Sequence, residues 1–363
     1  MITVHQGELG VARQTSYPPF QEAAWLPGRI DGITVGYLLD WHESNRHTMT
    51  HSVPSTYNCS VVICAYTEKR WRDLVAAIES LRRQSLRPTE VIVVVDHNPS
   101  LLERVQTQLD DVIAVENQEE HGLSGARNSG LAVAGGEIIV FLDDDAVAES
   151  NWLAELTRGY ADPKVIGVGG ASLPMWLDKQ PSWFPEEFNW VVGCSYRGLP
   201  LSTATVRNLI GCNMSFRREV FDAVGGFRNG IGRVDTRPLG CEETELCIRT
   251  SQHWPDCIML YEPNARIHHR VPQSRAQWSY FLSRCYSEGL AKASVARFVG
   301  AKDGLASEWK YSLQTLPQGV IRGVTEATIR RDPAGLARAG AIVAGLTVTT
   351  AGYLVGRVST NAL

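Results

Sequence analysis

Four apolar runs alternate with segments of helical spacing between residues 59 and 145 of this 363-residue chain. The first two, CSVVICAY and TEVIVVVDHN, are nearly continuous, as strands buried on both faces of a parallel sheet must be, and VIAVENQ and EIIVFLDDD follow. Between the first two runs, Leu74, Ile78 and Leu81 recur on one helical face. Strands that alternate with helices at this short spacing predict an α/β fold with a doubly wound, mostly parallel sheet.

Polar side chains stand where these strands end. Tyr66 and Glu68 follow the first run, Asp96 follows the second, and three consecutive aspartates, Asp143 to Asp145, close the fourth. In open α/β sheets, ligands bind beyond the carboxyl ends of the strands, so these side chains are expected to share one site. The chain lacks a GxGxxG fingerprint after the first strand and a GxxxxGK[ST] loop, which argues against NAD and against ATP held in a P-loop.

The three adjacent aspartates require a counter-charge. Mn²⁺ or Mg²⁺ would supply it, because these ions prefer carboxylate oxygens and usually keep substrate phosphates as further ligands. The alternative is a solvated acidic turn or a helix N-cap. A position at the end of a buried strand, downstream of another strand that ends in Asp96, favours a metal that holds a diphosphate.

Composition limits the kinds of partner that the chain is expected to bind and indicates its cellular compartment. The net charge of −4 gives no reason to expect a nucleic-acid partner. The eight cysteines are scattered without a CxxC pair or zinc spacing, which is typical of reduced thiols in a cytosolic chain. The first ten residues lack a basic region followed by an apolar run, so no signal peptide is expected there.

Four motifs in order resemble those of family 2 inverting glycosyltransferases with the GT-A fold. They are VVICAYTEK, VVVDHNPS, GLSGARNSGL and FLDDDA. The third is similar to the family's Gly-x-x-x-Ala-Arg-Asn-x-Gly segment, and the fourth is similar to its DxD segment. Together they cover about residues 58–150, and two later motifs carry the resemblance to about residue 290.

The resemblance implies roles in binding a nucleotide sugar, usually a UDP-sugar. Tyr66 would stack on the base, and Asp96 would accept a hydrogen bond from it. Arg127 would contact base or phosphate, Asn128 would shape the loop, and Asp144 would lie near the ribose. The implied nucleotide-sugar-binding set is Tyr66, Glu68, Asp96, Arg127, Asn128, Asp143 and Asp144.

A metal set follows from the same resemblance. Asp145 would hold the ion with help from Asp143, and the family commonly has a histidine beyond the catalytic acid that reaches the metal or the diphosphate. His268, directly after Ile267, is the better match of two adjacent histidines. A histidine that only makes hydrogen bonds at a strand end is the alternative reading of this motif.

The second half of the chain should supply the acceptor site and the catalyst. The segment ASLPMWLDKQPSWFPEEFNWVVG is rich in Trp and Pro, which predicts a loop in which Trp183 and Trp190 could meet a sugar or a lipid. Buried aromatics that merely staple a flap are the alternative. LIGCNMSF is similar to the family's acceptor-side segment, which implies an acceptor role for Asn213.

LGCEETEL resembles the family's Glu-Asp-x-Glu/Asp-Leu motif, whose second acid is the catalytic base. That position is Glu243 here, and Glu242 remains the alternative because Glu has one methylene more than the family's Asp. An acidic first turn of a helix would explain the same residues structurally. The implied reaction is a single displacement that inverts the anomeric centre of the sugar, with a metal on the leaving diphosphate.

Other functions remain open at this stage. A polyprenyl-phosphate glycosyltransferase of the same fold is one, although a phosphate acceptor needs no base. A processive synthase is disfavoured because PQSRAQW does not fit QxxRW, and a nucleotidyltransferase because its Gly-rich, basic N-terminal loop is absent. A non-catalytic nucleotide-sugar-binding protein would keep the aspartates and dispense with Glu243.

Three regions are predicted. Residues 1–55 form an N-terminal extension, 56–300 the GT-A catalytic domain with a nucleotide-binding half at 56–150 and an acceptor and catalytic half at 151–300, and 301–363 a helical tail. Residues 339–356 carry no charge and just reach the length of a spanning helix, so the tail could contact a membrane. A buried helix is the alternative. A lipid-linked or cell-envelope glycan acceptor would place the chain in the cytoplasm, at the inner face of the cell membrane.

Overall fold

The structure, a computed structural model, describes residues 57–233, 240–304, 308 and 310–358. The predicted N-terminal extension lies outside these residues. Four parallel strands form the first part of the sheet, in the spatial order β3-β2-β1-β4. Their bounds are β1 Cys59–Ala65, β2 Glu90–Val95, β3 Ile113–Glu116 and β4 Ile138–Asp143.

Helices cover both faces of these strands. Alternate residues of β1 point in opposite directions, so Val61 and Ile63 pack with one group of helices, and Val62 packs with the other. Each fully buried aliphatic side chain contributes about 1.5–3 kcal/mol to this core. The first group holds α1 Trp71–Arg82 and α2 Pro99–Gln108, and the second holds α3 Leu123–Val133. The predicted doubly wound α/β sheet is confirmed.

The second part of the sheet is mixed. Strand β8 is antiparallel to both of its neighbours, β4 and β6, whereas β6 and β9 run parallel to each other. Two short strands, β5 and β7, pair antiparallel with β9. The bounds are β5 Ala146–Ala148, β6 Val165–Trp176, β7 Ala204–Thr205, β8 Asn213–Arg217 and β9 Ile258–Val271, with helices α4 Trp152–Arg158, α5 Arg218–Val224 and α6 Glu242–His253.

The C-terminal helices pack on this half of the molecule. The long helix α7, Trp278–Val299, lies against the last helix, and a 3₁₀ helix, Glu186–Val192, contacts both. Gly289 and Gly352 let the backbones of the two long helices approach closely, since a Cβ at Gly289 would lie 2.1 Å from the carbonyl oxygen of Thr349. The remaining elements are α8 Ala301–Gly304, a π-helical turn Tyr311–Thr315, α9 Leu316–Thr328 and α10 Ala334–Val358.

Candidate active site

The end of β4 and the start of β5 place the three aspartates beside a histidine of β9. Asp143 is the last residue of β4, and β5 begins at Ala146, which pairs with His269. This register brings Nε2 of His269 to 3.2 Å from Oδ1 of Asp145. Both side chains are buried, so their charges interact strongly.

Cations of the protein itself compensate much of the acidic charge. Arg70 donates to Oδ1 of Asp144 at 2.8 Å and lies 3.2 Å from Oδ2 of Asp145, and Arg275 approaches Asp145 to 3.7 Å. Burial by itself would raise the pKa of Asp145, but the charge and hydrogen bond of His269 and the charge of Arg70 outweigh it and lower that pKa. The reciprocal effect of Asp145 overcomes burial and raises the pKa of His269 to about 10.

Asp144 behaves differently from its neighbour. Burial is the largest effect on this carboxyl, and together with the charges of Asp145 and Asp143 it raises the pKa of Asp144 to about 7 against the pull of Arg70. Two adjacent carboxyls with opposite pKa shifts therefore stand at one strand end. The repulsion among the aspartates is relieved by pairing with cations, and the raised pKa of Asp144 reflects the part that remains.

The structure places His269, and not His268, beside the aspartates. His268 is 41% exposed in its side chain, and its Nε2 lies 3.1 Å from Glu149, away from the aspartates. Successive residues of a strand face opposite sides, so His269 shares the buried side with Ile267. The alternation of buried and more exposed residues along β9 was the sequence signal that could have selected His269.

The residues around Asp143 fit a divalent metal. Asp143 is the least engaged of the three aspartates: its side chain is 32% exposed, and its oxygens lie 3.7 Å from Arg127 and 3.9 Å from His269. Ligand atoms of Asp143, Cys212 and His269 all lie within 4.8 Å of one another. An oxygen, a sulfur and a nitrogen at such separations can coordinate one ion.

A small pocket opens beside β1 and β2, where Tyr66 and Asp96 are among the lining residues. Tyr66 is exposed, with the guanidinium of Arg70 lying 5.6 Å from its ring centre. Asp96 is buried and already accepts hydrogen bonds from Asn117 at 2.6 Å and from the backbone of Gly122 at 2.9 Å.

Two half-exposed imidazoles complete the surroundings of Asp96. Nδ1 of His97 lies 2.9 Å from one carboxylate oxygen, and Nδ1 of His121 lies 3.2 Å from the other. A ligand that bonds to Asp96 must therefore replace one of these histidines. Glu68 is exposed at the rim, where it accepts a hydrogen bond from Asn98 at 3.2 Å, and it does not line the small pocket.

Arg127 and Asn128 lie outside the small pocket that Tyr66 and Asp96 line. Arg127 is 2% exposed, donates to Glu242 at 2.7 Å and to the carbonyl oxygen of Gly211 at 2.8 Å, and lines a second, larger cavity. The side chain of Asn128 bonds to both the carbonyl oxygen and the N–H of Phe227 and lines neither pocket. These two bonds tie helix α3 to the backbone of Phe227.

The large cavity, about 290 Å³, is lined by both candidate bases. Glu242 is buried and held by Arg127, whereas Glu243 is half-buried in the cavity wall and accepts a hydrogen bond from the Thr244 hydroxyl at 3.1 Å. Burial, then the neighbouring charge of Glu242, raises the pKa of Glu243 to about 8. Both carboxyls line the cavity, and Glu243 is the more exposed of the two.

Two of the predicted acceptor residues are structural. Asn213 is fully buried, accepts from the indole N–H of Trp152 at 2.8 Å and donates to the carbonyls of Ala171 and Ala265. Trp183 packs edge-on against Trp278 and is not part of the cavity wall. Of the three predicted acceptor residues, Trp190 lines the cavity, and its indole N–H donates to the Tyr311 hydroxyl at 3.0 Å.

Sequence reasoning missed most of the cavity wall. Its cations and acids form linked ion pairs: Arg284 and Lys292 with Glu288, and Arg207 and Lys292 with Glu308. Leu346 and Thr349 of α10 close one side of the wall. The ion-pair partners Arg207 and Glu308 lie 101 residues apart, and no local pattern links them. The missed lining residues are Tyr196, Arg207, Arg233, Arg275, Arg284, Glu288, Lys292, Glu308, Tyr311, Leu346 and Thr349.

Comparison with known proteins points to one enzyme family. The family description "Glycosyl transferase family 2" matches residues 60–225. A glucosyl-dolichyl phosphate glucuronosyltransferase of Haloferax volcanii is 35% identical over 237 residues, which are 64% of this chain and 75% of that protein. The succinoglycan biosynthesis protein ExoM of Rhizobium meliloti is 23% identical over 271 residues, 73% of this chain and 82% of its own.

A solved structure shares the fold. The mannosyltransferase PcManGT of Pyrobaculum calidifontis, in complex with GDP-Man and Mn²⁺, superposes with a TM-score of 0.52 at 18% identity, over 81% of this chain and 87% of that one. The predicted GT-A architecture is confirmed by this likeness.

Proposed function

Because this chain belongs to glycosyl transferase family 2 and is a glycosyltransferase with a nucleotide-sugar donor, we propose that it transfers a sugar from UDP, with inversion, to a hydroxyl of a lipid-linked glycan. The observation that carries the proposal is Glu243. Its half-buried carboxyl shares a cavity with Asp143, at the end of the strand that bears the aspartates. A carboxyl with a pKa of about 8 is suited to accept a proton near neutral pH.

The donor base occupies the small pocket. It stacks on the exposed face of Tyr66, and its N–H replaces an imidazole at Asp96. Replacing an imidazole costs little free energy, because His97 and His121 are half-exposed and can form hydrogen bonds to water instead. An acceptor-only carboxylate selects a base that presents a donor, as uracil does.

Asp143 and His269, with Asp145 beside them, would hold a divalent metal, Mn²⁺ or Mg²⁺, which when bound would stabilise the charge that develops on the leaving diphosphate. Arg70 and Arg275 fix Asp145 from the other side. The Mn²⁺ in the mannosyltransferase structure supports this choice of ion. Ion pairing keeps Asp145 ionised, so one strong oxygen ligand stays next to Asp143.

Glu243 carries the proton transfer. The Thr244 hydroxyl donates to Oε1, which leaves Oε2 to take the proton of the acceptor hydroxyl. The acceptor oxygen forms its bond to the anomeric carbon as the bond to the diphosphate breaks, and this single displacement inverts the centre. The Arg127–Glu242 pair keeps Gly211 in place, and Gly211 leaves room between Arg127 and Glu243 because it has no side chain.

The acceptor is a glycan carried on a lipid phosphate. Aromatic residues of the cavity wall, Trp190, Tyr196 and Tyr311, offer faces for sugar rings. The name of the Haloferax volcanii relative joins a glucosyl group to dolichyl phosphate, a sugar on a lipid. A bare polyprenyl phosphate, the alternative acceptor, would leave Glu243 without a proton to remove.

Such an acceptor places the chain at the inner face of the cell membrane. Helix α10 is long and apolar enough to span a membrane, with a mean hydropathy of 1.5 in its best window, although 33% of that window is buried in the protein. Arg330 and Arg331, between α9 and α10, are exposed and suit anionic headgroups. The C-terminal segment therefore contributes both to the catalytic domain and to the membrane contact.

The test uses the purified full-length chain with a panel of nucleotide sugars and lipid-linked glycans. We expect UDP-sugars to be used and the anomeric configuration of the product, read by NMR, to be inverted. Glu243→Gln should keep donor binding and cut transfer about 10²–10⁴-fold. Glu149→Gln, a carboxyl outside the cavity, is the control and should transfer normally. Retention of configuration, or an active Glu243→Gln chain, would refute the proposed mechanism.

A further inference from the structure

A thiol stands next to the metal position. Leu142 of β4 pairs with Asn213 of β8 in antiparallel register, so the next residue on one strand, Asp143, faces the preceding residue on the other, Cys212. His269 reaches the same place from β9, and the three ligand atoms lie within 4.8 Å of one another. The sheet thus brings three kinds of ligand to one point.

Cys212 has little else to bond to. Its sulfur lies 3.2 Å from the carbonyl oxygen of Gly193 and 3.4 Å from the Ser172 hydroxyl, which are weak partners for a thiol. The side chain is 5% exposed and lines the large cavity. A metal that enters this cavity to reach Asp143 therefore passes within bonding reach of the sulfur.

We propose that Cys212 is a metal ligand, and that with Asp143 and His269 it forms a three-ligand site for thiophilic divalent cations such as Zn²⁺. The inference rests on the metal centre of the proposed function. Zn²⁺ binds sulfur, nitrogen and oxygen together in tetrahedral sites, and three protein ligands leave one position open. Mn²⁺ and Mg²⁺ prefer oxygen and gain little from the thiolate.

With these ligands, the same position can bind a divalent cation in two ways. Mn²⁺ or Mg²⁺ finds few protein oxygens and is retained chiefly when a donor diphosphate adds its own. Zn²⁺ can take three protein ligands before any nucleotide arrives, because its binding displaces the protons of the Cys212 thiol and the His269 imidazolium. The order of divalent affinities also places Zn²⁺ above Mn²⁺, so Zn²⁺ displaces Mn²⁺ from the protein.

The experiment uses Co²⁺ as a spectroscopic substitute for Zn²⁺, added to the full-length chain without nucleotide. We expect a thiolate-to-cobalt charge-transfer band that saturates at one equivalent and disappears in Cys212→Ser. Cys241→Ser is the matched control, because Cys241 is equally buried, lines the same cavity and lies outside the ligand group. Competition with a chromophoric chelator should show Zn²⁺ binding weakened at least about tenfold in Cys212→Ser only.

The serine variant should fold, because its hydroxyl can donate to Gly193 or Ser172 as the thiol does, and near-UV circular dichroism checks this. No charge-transfer band in the wild-type chain, or a band that survives in Cys212→Ser, would overturn the proposal. A band lost in Cys194→Ser with Cys212→Ser unaffected would overturn it too. Calorimetry of UDP binding distinguishes a failure of the Cys212 proposal from a failure of the proposed metal centre. If the wild-type chain binds UDP equally well with Mn²⁺ and in EDTA, the metal centre itself is refuted.

Discussion

Glu243 can accept a proton only when it is ionised, and burial with the charge of Glu242 raises its pKa to about 8. The transfer rate at saturating substrate should therefore rise with pH, with a midpoint near 8, and level off above it. Initial rates measured over about two pH units on either side would show this. Glu242→Gln removes one cause of the shift and should move the midpoint to lower pH. A rate that falls through this range contradicts Glu243 as the base.

Glu242 has a structural task that can be measured apart from activity. It pairs with Arg127 at 2.7 Å, and neither side chain is more than 5% exposed. Glu242→Gln leaves a buried guanidinium without its counter-charge, so the free energy of unfolding should fall by about 3–5 kcal/mol in denaturant titrations.

Glu243→Gln is the matched control for that measurement. The raised pKa of Glu243 means that the folded chain prefers its protonated form, so ionisation lowers the stability of the wild-type chain as pH rises from the ordinary Glu value towards 8. Glutamine cannot ionise, and Glu243→Gln should be at least as stable as wild type above pH 8. Equal unfolding free energies for wild type and Glu242→Gln would show that the Arg127 pair adds no stability.

Single residues show what a sequence can and cannot determine. The aspartates at the end of β4 were predictable, because the carboxyl ends of parallel strands define the ligand edge. The choice between His268 and His269 was also within reach, because strand alternation places His269 on the side of Ile267. The role of Arg70 was not, since its salt bridges to Asp144 and Asp145 depend on tertiary placement across 74 and more residues.

At the scale of elements, the contact between α7 and α10 depends on glycine. A Cβ at Gly289 would lie 2.1 Å from the carbonyl oxygen of Thr349 and 2.5 Å from the backbone nitrogen of Tyr353. Gly289→Ala should therefore push the helices apart and lower the free energy of unfolding by about 1–3 kcal/mol. Thermal unfolding followed by circular dichroism measures the effect.

Gly340→Ala is the control for this helix pair. Beyond its chain neighbours and the backbone of its own helix, no atom lies within 4 Å of a Cβ at Gly340, which is exposed on α10, so alanine there adds helix propensity and should stabilise the chain by about 1 kcal/mol. If Gly289→Ala also stabilises the chain, α7 and α10 do not pack as described.

The elements of the first half were more predictable than those of the second. Each of the strands β1 to β4 is a local apolar run, so it can be predicted from its own residues alone. Strand β6 continues through Pro174 to Trp176, where the proline-rich sequence predicted a loop, because pairing with β9 holds the chain extended. Pairing between distant strands decides such cases, and a local pattern cannot show it.

Among the described residues, helix α10 presents an exposed apolar surface. On α10, the buried side consists largely of small residues such as Gly345 and Gly352, while Leu336, Val343 and Leu354 recur at helical spacing on the opposite, exposed side. The helix of a protein surrounded by water would carry polar residues there. We therefore expect full-length protein to co-sediment with vesicles of phosphatidylglycerol and phosphatidylcholine.

Charge on that exposed side should release the protein from the vesicles. The double variant Val343→Glu/Leu354→Glu should lower the partition coefficient at least about tenfold, since each buried charge costs about 2.5 kcal/mol or more. Val133→Glu, an equally exposed valine on α3, should leave binding unchanged. Full-length protein that stays monodisperse without detergent and ignores vesicles would show that α10 serves the fold alone.

Helix α10 also lines the large cavity, through Leu346 and Thr349, so the surface proposed to meet lipid and the wall proposed to meet the acceptor belong to one helix. On the proposed function, enzyme and acceptor encounter each other in two dimensions. The rate follows the mole fraction of acceptor in the bilayer rather than its amount per litre. Adding inert lipid, with every bulk concentration held constant, slows the enzyme by surface dilution.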